Sequence, residues 1–215
     1  MTSGGLHYDR TTVQGRDEWT MRIGDPAAPR LLLLPPLLEE MNRTRAFLAA
    51  TMRRVAAAGY CCLLPDLPGT GESERALEEA GWQDWLDAAR AAGEGTRAVA
   101  SVRGGCLLDA VLPLPRWRLA PVEGASLVRD LERAGLVADG GGAGYAPSSA
   151  LLDALRASSP TGEARTIRLA SDRAEADLKV EGPPLWRRSE PQNSSELVEA
   201  VASDIIEWLR TCAVS

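Results

Sequence analysis

The chain has 215 residues, 45% of them hydrophobic and 25% charged, a globular composition that excludes a disordered or collagen-like chain. Its net charge of −6 excludes general nucleic-acid binding, which needs a basic stripe. The length fits a single domain over 1–215 with a core large enough to need no disulfide or metal.

No apolar run reaches the ~18 residues of a membrane span. The longest, Leu31–Leu38, is interrupted by Pro35 and Pro36. The first ten residues lack the apolar core of a secretory leader, so a cytoplasmic protein is expected. The 4 cysteines show no C-x-x-C spacing and His7 is the only histidine, so no metal site or cofactor is expected. Cys61 and Cys62 are adjacent and would face opposite sides of a strand. Lys179 is the only lysine among 24 Lys+Arg residues.

The elements follow in chain order. Leu6–Val13 and Trp19–Ile23 alternate and flank Gln14-Gly15, a hairpin signature. Arg30–Leu34 is a short apolar run of the kind a buried parallel strand uses. Asn42 or Thr44 is a cap for a helix reaching about Ala58. Tyr60–Leu64 is a second buried strand, and Pro65–Glu74 a Gly/Pro loop whose Ser73 reads as a turn hydroxyl. A helix is expected over Glu78–Ala92, where Trp82 and Trp85 share a face. Next come a strand at Thr96–Ser101, a short helix at Gly104–Val111 and a strand at Trp117–Ala120. Helices at Ser126–Ala134 and Ser148–Ala157 flank a flexible Gly140–Gly144 loop. Strands at Thr166–Ala170 and Ala176–Val180 precede a final amphipathic helix from Asn193 or Ser194 to about Arg210. This alternation predicts an α/β fold, a doubly wound, mainly parallel sheet of about eight strands with an antiparallel hairpin at one edge.

Three loops carry the chemistry. PPLLEEMN (35–42), PDLPGTGESE (65–74) and ASVRGGC (100–106) each follow a buried strand and meet at the carboxyl edge, where ligands bind in such sheets. DLPGTGES (66–73) resembles the D-x-x-G-x-G-x-S loop of the α/β-hydrolase superfamily, and Ser101-Val102-Arg103-Gly104-Gly105 resembles its nucleophile elbow. PPLLEEMNRTR with LPDLPGTGES, and LWRRSEP (185–191), are similar to the hydrolase-like proteins of the exosortase A system. That resemblance implies a setting in exopolysaccharide production or PEP-CTERM sorting. It also implies an α/β-hydrolase fold, here with a reduced lid over about 121–160.

The departures from that pattern are chemical. Arg103 stands at the nucleophile position and cannot be deprotonated to attack a carbonyl. The loop around Ser189–Pro191, where the triad histidine belongs, holds none. Ser101 is a substitute nucleophile without a base, and Cys106 reads as core. A buried guanidinium at position 103 needs a partner, with Glu39, Glu40, Asp172 and Glu190 in reach. It also suits a small anionic ligand at a helix start, with Arg187, Arg188 and Trp186 approaching from the late loop.

Three readings follow. The first is a non-catalytic or ligand-binding accessory protein. The second is a hydrolase of an ester, thioester or similar acyl substrate, in which Glu39, Glu40 and Glu190 act with Arg103. The third is a structural partner, either a homodimer or a component of a polysaccharide or sorting system.

Overall fold

The computed structural model describes residues 5–135, 147–188 and 193–212. Within them one sheet is built from β1 (Leu6–Val13), β2 (Arg16–Ile23), β3 (Arg30–Leu34), β4 (Cys61–Pro65), β5 (Ala98–Val102), β6 (Arg116–Leu119), β7 (Arg165–Leu169) and β8 (Leu178–Val180). The strand order is β1-β2-β4-β3-β5-β6-β7-β8. β1 pairs antiparallel with β2, and β2 with β4. All other neighbours are parallel.

The two-residue period of the buried strands sorts the core into two layers. Leu31, Leu33, Cys62, Ala98 and Ala100 face one side, against Phe47 and Met52 of α1 (Glu39–Ala57) and Leu197, Val201 and Ile205 of α5 (Ser195–Cys212). Leu32, Leu34, Cys61, Leu63 and Val99 face the other. There they meet Trp85 of α2 (Trp82–Ala92), Leu127 of α3 (Gly124–Arg133), and Leu151 and Leu155 of α4 (Ser149–Ala157). The adjacent cysteines thus serve opposite cores. Each fully buried leucine contributes about 1.5–3 kcal/mol of transfer free energy. Trp85 is fully buried, donates Nε1–H to the Pro68 carbonyl at 2.9 Å, and its ring centroid lies 6.3 Å from that of Trp82.

Three local expectations are corrected. α1 begins at Glu39, ahead of Asn42 and Thr44. Thr44 is not a cap: its hydroxyl donates back to the Glu40 carbonyl at 2.8 Å inside the helix. The stretch expected as a helix over Gly104–Val111 is two 3₁₀ segments, Arg103–Leu107 and Asp109–Val111. Gly104-Gly105 resists α-helix entropically and Pro113 closes the stretch, leaving too few residues for a stable helix. The helix expected over Glu78–Ala92 splits into a 3₁₀ turn, Leu77–Glu79, and α2, whose N-terminus is bound by Asp84 accepting from Gly81 N–H at 2.8 Å. Gly140–Gly144 and Glu190 lie outside the described residues. No helix among the described residues is long and apolar enough to cross a membrane.

The 66–73 loop folds on itself. Asp66 accepts from Arg45 at 3.0 Å and from Glu72 N–H at 3.1 Å. A Cβ at Gly71 would lie 2.3 Å from the Asp66 carboxylate, so only glycine fits. Ser73 Oγ accepts from Gly69 and Arg75 N–H groups, the turn role expected of it. Beneath this loop, Glu18 of β2 is buried with both carboxylate oxygens lacking a hydrogen-bond partner. Burial pushes its carboxyl above the ordinary value, Asp66 adds to that, and the Arg75 and Arg16 charges pull partly back.

A folded-state pKa above the unfolded one means the proton is held more tightly in the native state. The resulting stability is complete below the unfolded value of ~4.3 and is lost as pH rises through the raised folded value. Glu18→Gln is therefore expected to flatten this slope and, near pH 7, to stabilise by about 1–3 kcal/mol. Urea unfolding of both proteins at pH 5 and pH 8 checks it, and parallel pH dependences would refute the assignment.

Candidate functional site

The carboxyl ends of β3, β5, β6 and β7 converge on Arg103. Its residue is buried, and its backbone takes a left-handed φ of 53° at the turn leaving β5. Leu38 after β3 (φ 57°, ψ −134°) and Ala120 after β6 (φ 47°) also take a positive φ, rare for L-residues. The only other described non-glycine residue with positive φ is Gln14, in the hairpin turn. Left-handed backbone costs an L-residue about 1–2 kcal/mol, and such strain collects where a site needs it. The turn also sits hard against β3. A Cβ at Gly105 would fall 2.4 Å from the Pro35 carbonyl oxygen and 2.6 Å from that of Leu34.

The Arg103 guanidinium is held on three sides. Its Nε and Nη2 donate to the two oxygens of Glu40, at 3.2 and 2.9 Å. Its Nη1 points to the Ala120 carbonyl at 3.5 Å. Its Cζ stacks 5.0 Å from the centroid of the Trp186 ring, within cation–π range. Glu40 is itself buried in the first turn of α1, where the helix dipole favours a carboxylate. Burial pushes the Glu40 carboxyl up, and Arg103 pulls it back. Of the three described carboxylates considered as partners, Glu40 is the one that engages Arg103. Glu39 pairs instead with Arg43 at 3.4 Å. Asp172 pairs with Arg168 at 2.8 Å. Burial alone would raise Asp172, but the Ala174 amide and Arg168 outweigh it and hold its carboxyl below the usual range.

Two cavities flank Trp186. One, about 250 Å³, is lined by Arg103, Trp186, Arg187, Ser171, Asp172 and Arg173, among others. The other, about 430 Å³, lies on the α1–α3 side and includes Glu39, Glu40, Arg43 and Asp130. The 3₁₀ turn Leu185–Arg187 forms the partition, and Arg43 donates to the Trp186 carbonyl at 3.3 Å. Arg188 is exposed and lines neither. Ser101 is fully buried on β5, and its Oγ has no hydrogen-bond partner. Cys106 is fully buried and burial pushes its thiol well up, so it packs as core and is a poor nucleophile. His7 is exposed on β1. Among the described residues no group of three or more His, Cys, Asp and Glu side chains is placed to hold a metal ion.

Ser171 and Arg173 were not singled out by sequence. Their signal was positional: they follow β7 at the same carboxyl edge.

No family model matches the chain, and no curated protein matches it in sequence. Its structure is similar to Est1E from Butyrivibrio proteoclasticus with ferulic acid bound, at TM-score 0.63 and 13% identity, covering 96% of this chain and 100% of that one. The fold is that of the α/β hydrolases. Ligand-free Est1E gives TM-score 0.62 at 12% identity, over 98% of this chain and 100% of that one. An epoxide hydrolase from Vigna radiata overlaps 59% of this chain and 44% of its own, with TM-score 0.43 and 16% identity. The mainly parallel eight-stranded sheet and its antiparallel edge hairpin match the architecture expected from the sequence. Arg103 lies at the turn leaving β5, within the Ser101–Gly105 stretch whose sequence resembles the nucleophile elbow.

Proposed function

We propose that the protein is a non-hydrolytic member of the α/β-hydrolase fold, acting as a ligand-binding accessory protein. The observation that carries this reading is the bidentate Arg103–Glu40 pair at the elbow apex. A nucleophile there must be deprotonated by a positioned base. An arginine offers no such atom, and its charge is already matched. Glu40, the acid paired with Arg103, is bound to the guanidinium by both oxygens and is in no position to act as a base. The strain retained at Leu38, Arg103 and Ala120 supports a site kept for binding. The resemblance of residues 35–45, 64–73 and 185–191 to exosortase A system proteins supports an accessory role in exopolysaccharide production or protein sorting, in a cytoplasmic setting.

The test is an ester-hydrolysis assay with p-nitrophenyl acetate, together with labelling by a fluorophosphonate that captures activated serines. Wild type and Ser101→Ala are both expected to match the buffer rate and to remain unlabelled. Turnover in wild type that disappears in Ser101→Ala would overturn the reading and make Ser101 a nucleophile.

A further inference from the structure

The cavity of about 250 Å³ beside Arg103 has a charge pattern that its own residues do not balance. Glu40 neutralises Arg103, and Arg168 neutralises Asp172. Arg173 and Arg187 line the same cavity, both are exposed, and neither forms an ion pair with another described residue. Two guanidinium groups with no ion-pair partner among the described residues therefore share one rim.

Both are carried on pinned backbone. The Asp172–Arg173 turn is fixed by Asp172 N–H donating to the Leu169 carbonyl at 2.9 Å, by Ala174 N–H donating to Asp172 at 3.0 Å, and by Lys179 Nζ donating to the Asp172 carbonyl at 2.7 Å. Arg187 rides on the 3₁₀ turn whose Trp186 carbonyl is held by Arg43. Placing two like charges on one rim costs free energy that an anion offsets, and each planar guanidinium fork matches an oxyanion bidentately. The cavity lies below the usual volume of ~300–1,000 Å³ for a whole small-molecule ligand, so it admits an acidic head group and leaves the remainder outside. Ser171, exposed on the same wall, adds a hydroxyl donor.

We infer that this cavity binds the dianionic head of a phosphate monoester, with Arg173 and Arg187 as the clamps, the buried Arg103 as the floor and Ser171 as a neutral donor. The inference rests on the non-hydrolytic reading of the elbow and gives its ligand a chemical class.

The experiment is a calorimetric titration of the full chain with inorganic phosphate at 0.15 M salt, repeated with malonate and acetate. Wild type should bind phosphate saturably. Affinity should rise severalfold from pH 6 to pH 8, because inorganic phosphate loses its second proton within that interval. Arg173→Gln and Arg187→Gln should each weaken binding by about tenfold while the melting temperature stays unchanged, since both residues are exposed. Absence of saturable phosphate binding, or binding indifferent to both substitutions, would overturn the proposal. So would malonate binding more tightly than phosphate, which would make the ligand a dicarboxylate. The ester assay keeps the two readings apart. Serine-dependent hydrolysis would sink the non-hydrolytic reading whatever phosphate does, whereas failed phosphate binding in an inert protein sinks only this inference.

Discussion

Arg103→Ala should destabilise the protein by about 3–5 kcal/mol, the usual cost of stranding one partner of a buried ion pair. Glu40 would remain buried with its carboxylate facing an emptied space, and Trp186 would lose the cation against its ring. Glu40→Gln should also destabilise, because it puts an N–H group in place of one of the two oxygens that accept from the guanidinium. The double replacement Arg103→Met with Glu40→Met removes both charges at similar volume. It is expected to recover most of the loss, since well-packed apolar side chains match or exceed a buried pair in stability. Urea unfolding of the variants as a double-mutant cycle gives the coupling directly. An Arg103→Ala protein within 1 kcal/mol of wild type would mean the pair is solvated in solution, and the assignment of a locked elbow would fall with it.

Asp109→Asn should produce a loss of the same order, about 3–5 kcal/mol. Asp109 is fully buried and accepts from Arg118 Nε at 2.8 Å and Nη2 at 2.7 Å. Asparagine keeps the shape, so lost packing would not explain the effect. It replaces an acceptor by an N–H group facing the guanidinium, in a place water does not reach. The control is Asp130→Asn, whose partner Arg133 is an exposed i,i+3 neighbour. That change should stay within about 0.5 kcal/mol. Equal losses at the two positions would contradict the burial argument. The Asp109–Arg118 pair also explains how the short 3₁₀ segments after the elbow stay in place without a helix. It ties the second of them to β6.

Strands and helices differed in how plainly the sequence announced them. β3, β4 and β5 were legible because short, largely apolar runs between turn signals read as buried parallel strands. The turn after β5 was legible because Gly104 and Gly105 follow directly on such a run. The start of α1 was not legible. Leu38 precedes it in a backbone conformation that sequence rules assign to glycine, and PPLLEE carries no capping side chain. The identity of the Arg103 partner was legible only as a choice among four acids. Choosing Glu40 requires knowing that the first turn of α1 lies across the elbow, a tertiary fact with no local signature. The same holds for Trp186, whose ring closes over Arg103 from 83 positions later in the chain. It holds also for Asp204, which accepts from Trp117 Nε1 at 2.7 Å and from Arg165 at 2.6 Å across the sheet.

Lys179 gives the protein a practical property. It is the only lysine in 215 residues. It is exposed, and it reaches the turn that bears Arg173. Acylating reagents that target primary amines therefore have one side chain to find, next to the rim of the cavity. A fluorophore coupled there would act as a reporter of cavity occupancy, and a surface linkage through it would present every molecule in one orientation. Enzymes that acetylate or ubiquitinate lysines in other proteins would likewise meet a single side-chain address on this one.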